Sequence, residues 1–312
     1  MKKKILFALF ILLSLFILYA AFVGHVYHKE IKISASVPVI HHEISSYDRI
    51  ARWFNPFATA DTNTNKIIKP DRLEYDNTVL KITHITGYST TYQLTENNKP
   101  ETILYDVMPD TGHFSKVILT YKTTLWNAFF KTGNTFQNAI KGLEDLKDYL
   151  GDAKKMYGYE VEMINVADTA FLFSSKVVPI QNKKAAFKNL YESLIQFAAE
   201  KDLGYNGVRI FYILPFGKDS LHLFTSIGIT NTSNAPFSGS FILKRMPYMG
   251  RLLMSYYQGS FGKVDAVLYA LEQFKSDNGM NSMAIPFIKL ITEGIEFDDS
   301  QIIQARAQYP VY

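Results

Sequence analysis

From Ile5 to Gly24 the chain carries no charged side chain, and nearly every residue is Ile, Leu, Phe, Val or Ala. A helix over that run is about 30 Å long at about 1.5 Å per residue, the thickness of a bilayer's hydrocarbon core. In lipid the backbone must satisfy its own hydrogen bonds, which a helix does within one segment. The run therefore predicts a transmembrane helix over residues 5–24. A cleaved signal peptide is the rival; its apolar stretch is usually about 7–15 residues, closed by a small-x-small site. The exit Tyr19-Ala20-Ala21-Phe22-Val23-Gly24 matches that site poorly.

Beyond the run the pattern changes period. Residues 31–40 read as a strand, and residues 45–54 as a short helix with Ser45 or Ser46 at its N-cap. A polar loop over 61–65 precedes strand-like runs at 79–84, 89–94, 102–108 and 115–120. Within the third, Ile103, Tyr105 and Val107 alternate as in a half-buried strand. Asn97-Asn98, Pro109-Asp110 and Gly112 supply turns. Over 134–150, Phe136, Ile140, Leu143, Leu146 and Leu150 fall on one helical face, and Gly151 ends the helix.

The remainder, residues 157–312, repeats itself. Phe187, Leu190, Tyr191, Leu194, Phe197 and Leu203 recur 77 positions later as Val264, Val267, Leu268, Leu271, Phe274 and Met280. Both sets keep helical spacing, so each repeat contains an amphipathic helix. Strand-like segments flank them, at 171–174 and 208–214 for the first and 252–257 and 285–291 for the second. Two such units can join their sheets into one curved layer, with a groove between them as the ligand site.

Charge adds topology rather than a partner. The formal charge is +4, from 33 basic and 29 acidic residues; Lys2, Lys3 and Lys4 supply three, leaving 30 basic against 29 acidic. Lysines ahead of an apolar helix stay in the cytoplasm. The soluble part is then expected outside the cell's inner membrane, in the periplasm of a Gram-negative bacterium. No basic stripe suits nucleic acid, and none is expected as a partner. The absence of cysteine excludes disulfides, thiolate catalysis, cysteine metal sites and lipoprotein processing. Removing the anchor leaves about 285 residues, room for two ordinary domains.

Residues 29–152 resemble the SRPBCC (START-like, polyketide cyclase-like) superfamily. Ile33-Ser34-Ala35-Ser36-Val37-Pro38-Val39-Ile40 looks like its opening strand and turn, and Arg52-Trp53-Phe54-Asn55-Pro56-Phe57 like its tryptophan-proline segment. The Trp126–Phe129 stretch and Leu143-Glu144-Asp145-Leu146-Lys147 are similar to its last-helix region. The resemblance implies a helix-grip fold, in which a long helix covers a curved sheet; the space between either holds an apolar ligand or is filled by side chains.

Residues 157–312 resemble the GyrI-like, or AraC-type effector-binding, family. The resemblance rests on Gly250-Arg251-Leu252-Leu253-Met254, Tyr257-Gln258-Gly259-Ser260-Phe261, the helix that follows over 264–274, the segment 286–294 and the ending Tyr309-Pro310-Val311-Tyr312. Tyr157-Gly158-Tyr159 looks like the junction between an SRPBCC domain and a GyrI-like one. In that family a buried glutamate on the strand after the second helix attracts cationic ligands, helped by aromatic rings. Here the register puts Ile288 or Lys289 at that place, and the nearest acid is Glu293. Lys289 either faces the groove, favouring a neutral or anionic ligand, or snorkels to solvent.

The expected architecture is α+β: a transmembrane anchor over 1–28, a helix-grip domain over 29–152, and a duplicated strand-helix-strand domain over 157–312. The expected function is binding of a small hydrophobic or aromatic molecule outside the membrane. The ligand-binding candidates are Phe171, Phe173, Tyr212, Tyr256, Tyr257, Lys289 and Glu293. Alternation puts Phe171 and Phe173 on one face and splits Tyr256 from Tyr257. A hydrolase is the second reading and needs a titratable group in the groove; Glu160 and Glu162, which share a strand face, are more simply solvated. A structural or interaction protein with filled cavities is the third. No cofactor or metal is expected. His41-His42, read on a strand, point to opposite faces and cannot easily chelate one ion, and no nucleophile elbow, phosphate loop or dinucleotide fingerprint occurs.

Overall fold

The computed structural model describes residues 2–59, 66–112, 114–130, 133–282 and 284–312, with side chains from Phe10 onward. The chain divides into two compact units, Met1–Asp152 and Ala153–Tyr312.

In the first unit α1 (Lys2–Phe22) covers the apolar run and leads into β1 (Gly24–Ile33). The side chains of residues 5–9 of the expected membrane span lie outside the described ones, as does the polar loop 61–65. Among the described residues no helix is long and apolar enough to cross a membrane. Two helices follow, α2 (Val37–Ile44) and α3 (Tyr47–Trp53). The strand expected over 31–40 is thus corrected: it ends at Ile33, and residues 37–44 are helical. Ser36 stands at the N-cap and Pro38 in the first turn, where proline's fixed φ and missing N–H favour a helix start. The period-2 pattern of Ile31, Ile33, Ala35, Val37 and Val39 runs straight across that boundary. His41 and His42 consequently lie on a helix. The His41 ring bonds the Thr86 carbonyl at 2.6 Å, and among the described residues no group of three or more His, Asp or Glu could hold a metal ion.

Strands β2 (Ile67–Lys69), β3 (Arg72–Tyr75), β4 (Thr78–Ile85), β5 (Ser89–Glu96), β6 (Lys99–Pro109) and β7 (Ser115–Thr124) complete a seven-stranded sheet of order β1-β7-β6-β5-β4-β3-β2. Every neighbouring pair is antiparallel. A short helix α4 (Leu125–Phe130) and the long α5 (Asn134–Leu150) close the unit. The inward face of α5 is the expected one: Phe136, Leu143, Leu146 and Leu150 are buried, and Ile140 is half-buried. Aromatic side chains pack between α5 and the sheet. Phe54, Phe57, Tyr92, Tyr105, Tyr121 and Phe136 are all fully buried there. The Tyr105 hydroxyl donates to the Ala139 carbonyl at 3.1 Å, which satisfies its polar atom in an apolar setting.

The second unit is a duplication. After α6 (Ala153–Tyr157), the first copy is β8 (Glu162–Asn165), β9 (Ala170–Pro179), α7 (Lys183–Glu200), β10 (Tyr205–Phe216) and β11 (Ser220–Ile229). The second is β12 (Ile242–Arg245), β13 (Arg251–Ser260), α8 (Asp265–Asp277), β14 (Phe287–Leu290) and β15 (Ile302–Val311). The sheet order β12-β9-β11-β10-β14-β15-β13-β8 mirrors itself about the β10–β14 seam. The opening strand of each copy crosses to the other: β8 pairs with β13 and β12 with β9.

The structural repeat is offset by 81 residues at β9 and β13, which begin at Ala170 and Arg251, and the 3-10 turns Ile180–Asn182 and Phe261–Lys263 keep that offset. The sequence spacing of 77 is shorter by about one helical turn. Sliding a helix by one turn preserves its apolar face, so periodicity alone does not fix the register.

Both helices cover one side of the sheet. Phe187, Tyr191 and Leu194 of α7 and Val267, Leu268 and Leu271 of α8 share a core with Leu172, Phe211, Ile288 and Ala307. Phe171, Ile210, Leu252 and Phe287, which alternate with that set, form a smaller cluster on the opposite side.

Candidate functional site

The face turned away from the helices carries one register row across six strands. Phe173 lies opposite Ser226, Ser226 opposite Ile210, Ile210 opposite Lys289, Lys289 opposite Arg306 and Arg306 opposite Tyr256. Directly opposed residues of antiparallel strands share a face, so the row places aromatic rings towards both ends and two cations beside the seam. Ile288 falls on the helix side and is fully buried. Of the two residues that could occupy the expected acid position, Lys289 is therefore the one on the open face.

A cavity of about 300 Å³ opens on this face, the lower end of the range for small-molecule sites. Its wall includes Phe171 and Phe173 of β9, Ile210 and Tyr212 of β10, Phe224 of β11 and Phe287 of β14. Phe224 ties the rings together, with centroids 6.2 Å from Phe173 and 6.1 Å from Tyr212. Burial raises the Tyr212 hydroxyl above the usual tyrosine pKa, so it stays a neutral donor. Lys244 of β12 is the charged residue among the described lining. Its Nζ sits 5.5 Å from the centre of the Phe173 ring, within cation–π range.

A second cavity, of about 80 Å³, shares Phe171, Ile210, Met246 and Phe287 with the first. Its remaining wall is mixed: Asp168, Lys289, Arg306 and Gln308 are polar, and Ile164, Val166 and Leu252 are apolar. Lys289 Nζ is 2.5 Å from an Asp168 carboxylate oxygen, and both side chains are partly exposed. Arg306 lies over the Tyr256 ring at 5.2 Å, and its buried Nε has no hydrogen-bond partner among the described residues.

Phe171, Phe173 and Tyr212 thus come together on the larger cavity, and Lys289 lies on the smaller one. Tyr256 is exposed on the same face, beneath Arg306. Two expected residues are elsewhere. Tyr257 belongs to the helix-side core and donates its hydroxyl to the Ser260 carbonyl at 2.7 Å. Glu293 is exposed after the end of β14 and lines neither cavity. Alternation separates Tyr256 from Tyr257 but does not say which faces the groove.

Phe224, Ser226, Lys244, Met246, Asp168 and Arg306 escape the sequence reading. Phe224 and Ser226 sit on a strand whose alternation (Leu223, Thr225 and Ile227 against Phe224 and Ser226) is legible in the chain. Lys244 and Met246 reach the site because β12 crosses to the other repeat's edge, and no local pattern announces that.

No family model matches the chain, and no curated protein matches it. Among solved structures, the EcmrR C-terminal domain is 15% identical with a TM-score of 0.37, covering 49% of this chain and 98% of that one. EcmrR has also been solved on DNA, at 12% identity and a TM-score of 0.39, covering 59% of this chain and 74% of that one. SAV2435, solved bound to tetraphenylphosphonium, is 10% identical with a TM-score of 0.32, covering 49% and 94%. The two antiparallel sheets, one in each unit, place the chain in the mixed α+β class.

Proposed function

We propose that this chain binds a small hydrophobic or aromatic molecule in the larger cavity of the second unit while tethered to a membrane by its N-terminal helix. The observation that carries the binding reading is the cavity itself: about 300 Å³, walled mainly by apolar and aromatic side chains on the open face of a GyrI-like sheet. Burial of an apolar ligand there is favourable in proportion to the area removed from water. The aromatic ligand of SAV2435 is in keeping with the reading.

Ile285 is half-exposed and lines the cavity, so a charge there blocks an apolar ligand at little structural cost. In a thermal-shift screen of the full chain in a neutral detergent, an aromatic ligand should raise the melting temperature by mass action. Ile285→Asp should abolish that rise while leaving the unliganded melting temperature within a degree or two. A broad aromatic library that moves neither protein would end the binding reading. A hydrolytic reading rests on Asp168, the one carboxylate on the described lining of the two cavities, and it is ion-paired with Lys289.

The tether reading rests on the uncharged run 5–24 behind three lysines. It also draws on α4, which packs beside α1 and presents the ring cluster Trp126, Phe129 and Phe130, with Phe129 and Phe130 exposed. Aromatic rings concentrate at membrane–water interfaces. The positive-inside rule then puts both units outside the cytoplasm, and the sheet-and-helix order of the first unit supports an SRPBCC-like domain next to the anchor. A reporter that is active only outside the cytoplasm, fused after Tyr312, should be active; an inactive reporter in a cell fraction that still holds the protein would reverse the orientation.

A further inference from the structure

We infer that the ligand is an amphipathic anion, with an apolar body in the larger cavity and a single carboxylate at Lys289 and Arg306. The inference rests on the binding reading above and goes beyond it by assigning the ligand's charge and the residues that read it. The two cavities are continuous in their walls, since Phe171, Ile210, Met246 and Phe287 line both. The larger cavity is apolar apart from Ser226 and Lys244, and the smaller one adds the charged groups of Asp168, Lys289 and Arg306.

The charges are unbalanced in one direction. Among the described lining residues of the two cavities, Lys244, Lys289 and Arg306 are cationic and Asp168 alone is anionic. Lys289 and Arg306 are direct cross-strand partners, an arrangement that is destabilising for like charges. Asp168 offsets Lys289 at 2.5 Å. Arg306 is held against Tyr256 by a ring contact, and its guanidinium has no carboxylate partner among the described residues. A guanidinium presents planar paired donors that match a carboxylate. One carboxylate beside the Arg306 guanidinium therefore offsets the surplus positive charge and separates the two cations. A cationic ligand would meet the same charges as repulsion.

A charge series on one ring system tests this. The full chain in neutral detergent is titrated calorimetrically with 2-naphthoate, 2-naphthylmethanol and 2-naphthylmethylammonium. Naphthoate should bind about tenfold or more tighter than the alcohol, the usual worth of a hydrogen bond to a charged group, and the ammonium more weakly than either. Arg306→Gln should bring naphthoate to within about twofold of the alcohol, and Arg306→Lys should restore part of the preference. Continued binding of the alcohol reports that the cavity has survived the substitution. Equal affinities for acid and alcohol in the unmodified protein, or preference for the ammonium, would overturn the anion assignment and leave the binding reading standing. Failure of all three to bind would overturn both.

Discussion

Phe187→Ala is expected to destabilise the second unit by about 3–5 kcal/mol, the usual cost of deleting a buried aromatic ring. Phe187 is fully buried. It stacks on Phe297 with centroids 5.0 Å apart and planes 13° from parallel, and it meets Phe211 and Phe261 edge-on at 5.5 and 5.8 Å. Those partners come from β10, from the 3-10 turn of the second copy and from the segment after β14. The ring therefore joins both halves of the duplication, and its loss is felt by each. Ring pairs of this kind contribute about 0.5–1.5 kcal/mol beyond area burial, which places the cost in the upper part of the range. For a unit of this size the melting temperature should fall by on the order of 10 °C. Near-ultraviolet circular dichroism during heating would follow it, and a fall of only a degree or two would mean that the cluster contributes little.

The second large effect is in the first unit. Gly142→Leu should destabilise it by about 3 kcal/mol or more, the upper end of overpacking costs. A Cβ at Gly142 would lie 2.6 Å from a Phe54 ring carbon and 3.2 Å from the Tyr105 hydroxyl oxygen. Phe54 cannot move aside easily, since its ring is fully buried against Trp53, Phe57 and Tyr92. Replacing glycine within a helix gains about 1 kcal/mol of propensity, which is smaller than the overpacking cost and does not change the sign. Gly142→Ala should give the same direction at reduced size. Urea unfolding monitored by tryptophan fluorescence reads this unit directly, because both tryptophans, Trp53 and Trp126, lie within it. An unchanged midpoint for Gly142→Leu would show that α5 can lift away from the sheet.

The two substitutions also separate what composition can say from what packing decides. Glycine in a long amphipathic helix reads as a weak point in the chain, but in the structure it is where α5 approaches the Phe54 ring. The plentiful aromatic residues suit a ligand pocket or a filled core equally well. In the first unit the rings pack under α5, and in the second they do both, with Phe187 and Phe261 inside the core and Phe173 and Phe224 on the cavity wall.

By itself the sequence determined the uncharged run 5–24, the helix over 134–150 to its residue boundaries, the alternating strands between them, the duplication in 157–312 and the shared face of Phe171 and Phe173. All of these are local, and a period of 2 or 3.6 records them directly. Only the tertiary structure decided the one-turn slip between the repeats, the end of β1 at Ile33, and the choice of Tyr256 over Tyr257 and Lys289 over Ile288 for the open face. It alone brought Lys244, Asp168 and Arg306 to the site. Periodicity fixes which residues share a face. Which face meets the helices, and which distant strand lies alongside, depends on where the apolar surface of the whole sheet is buried.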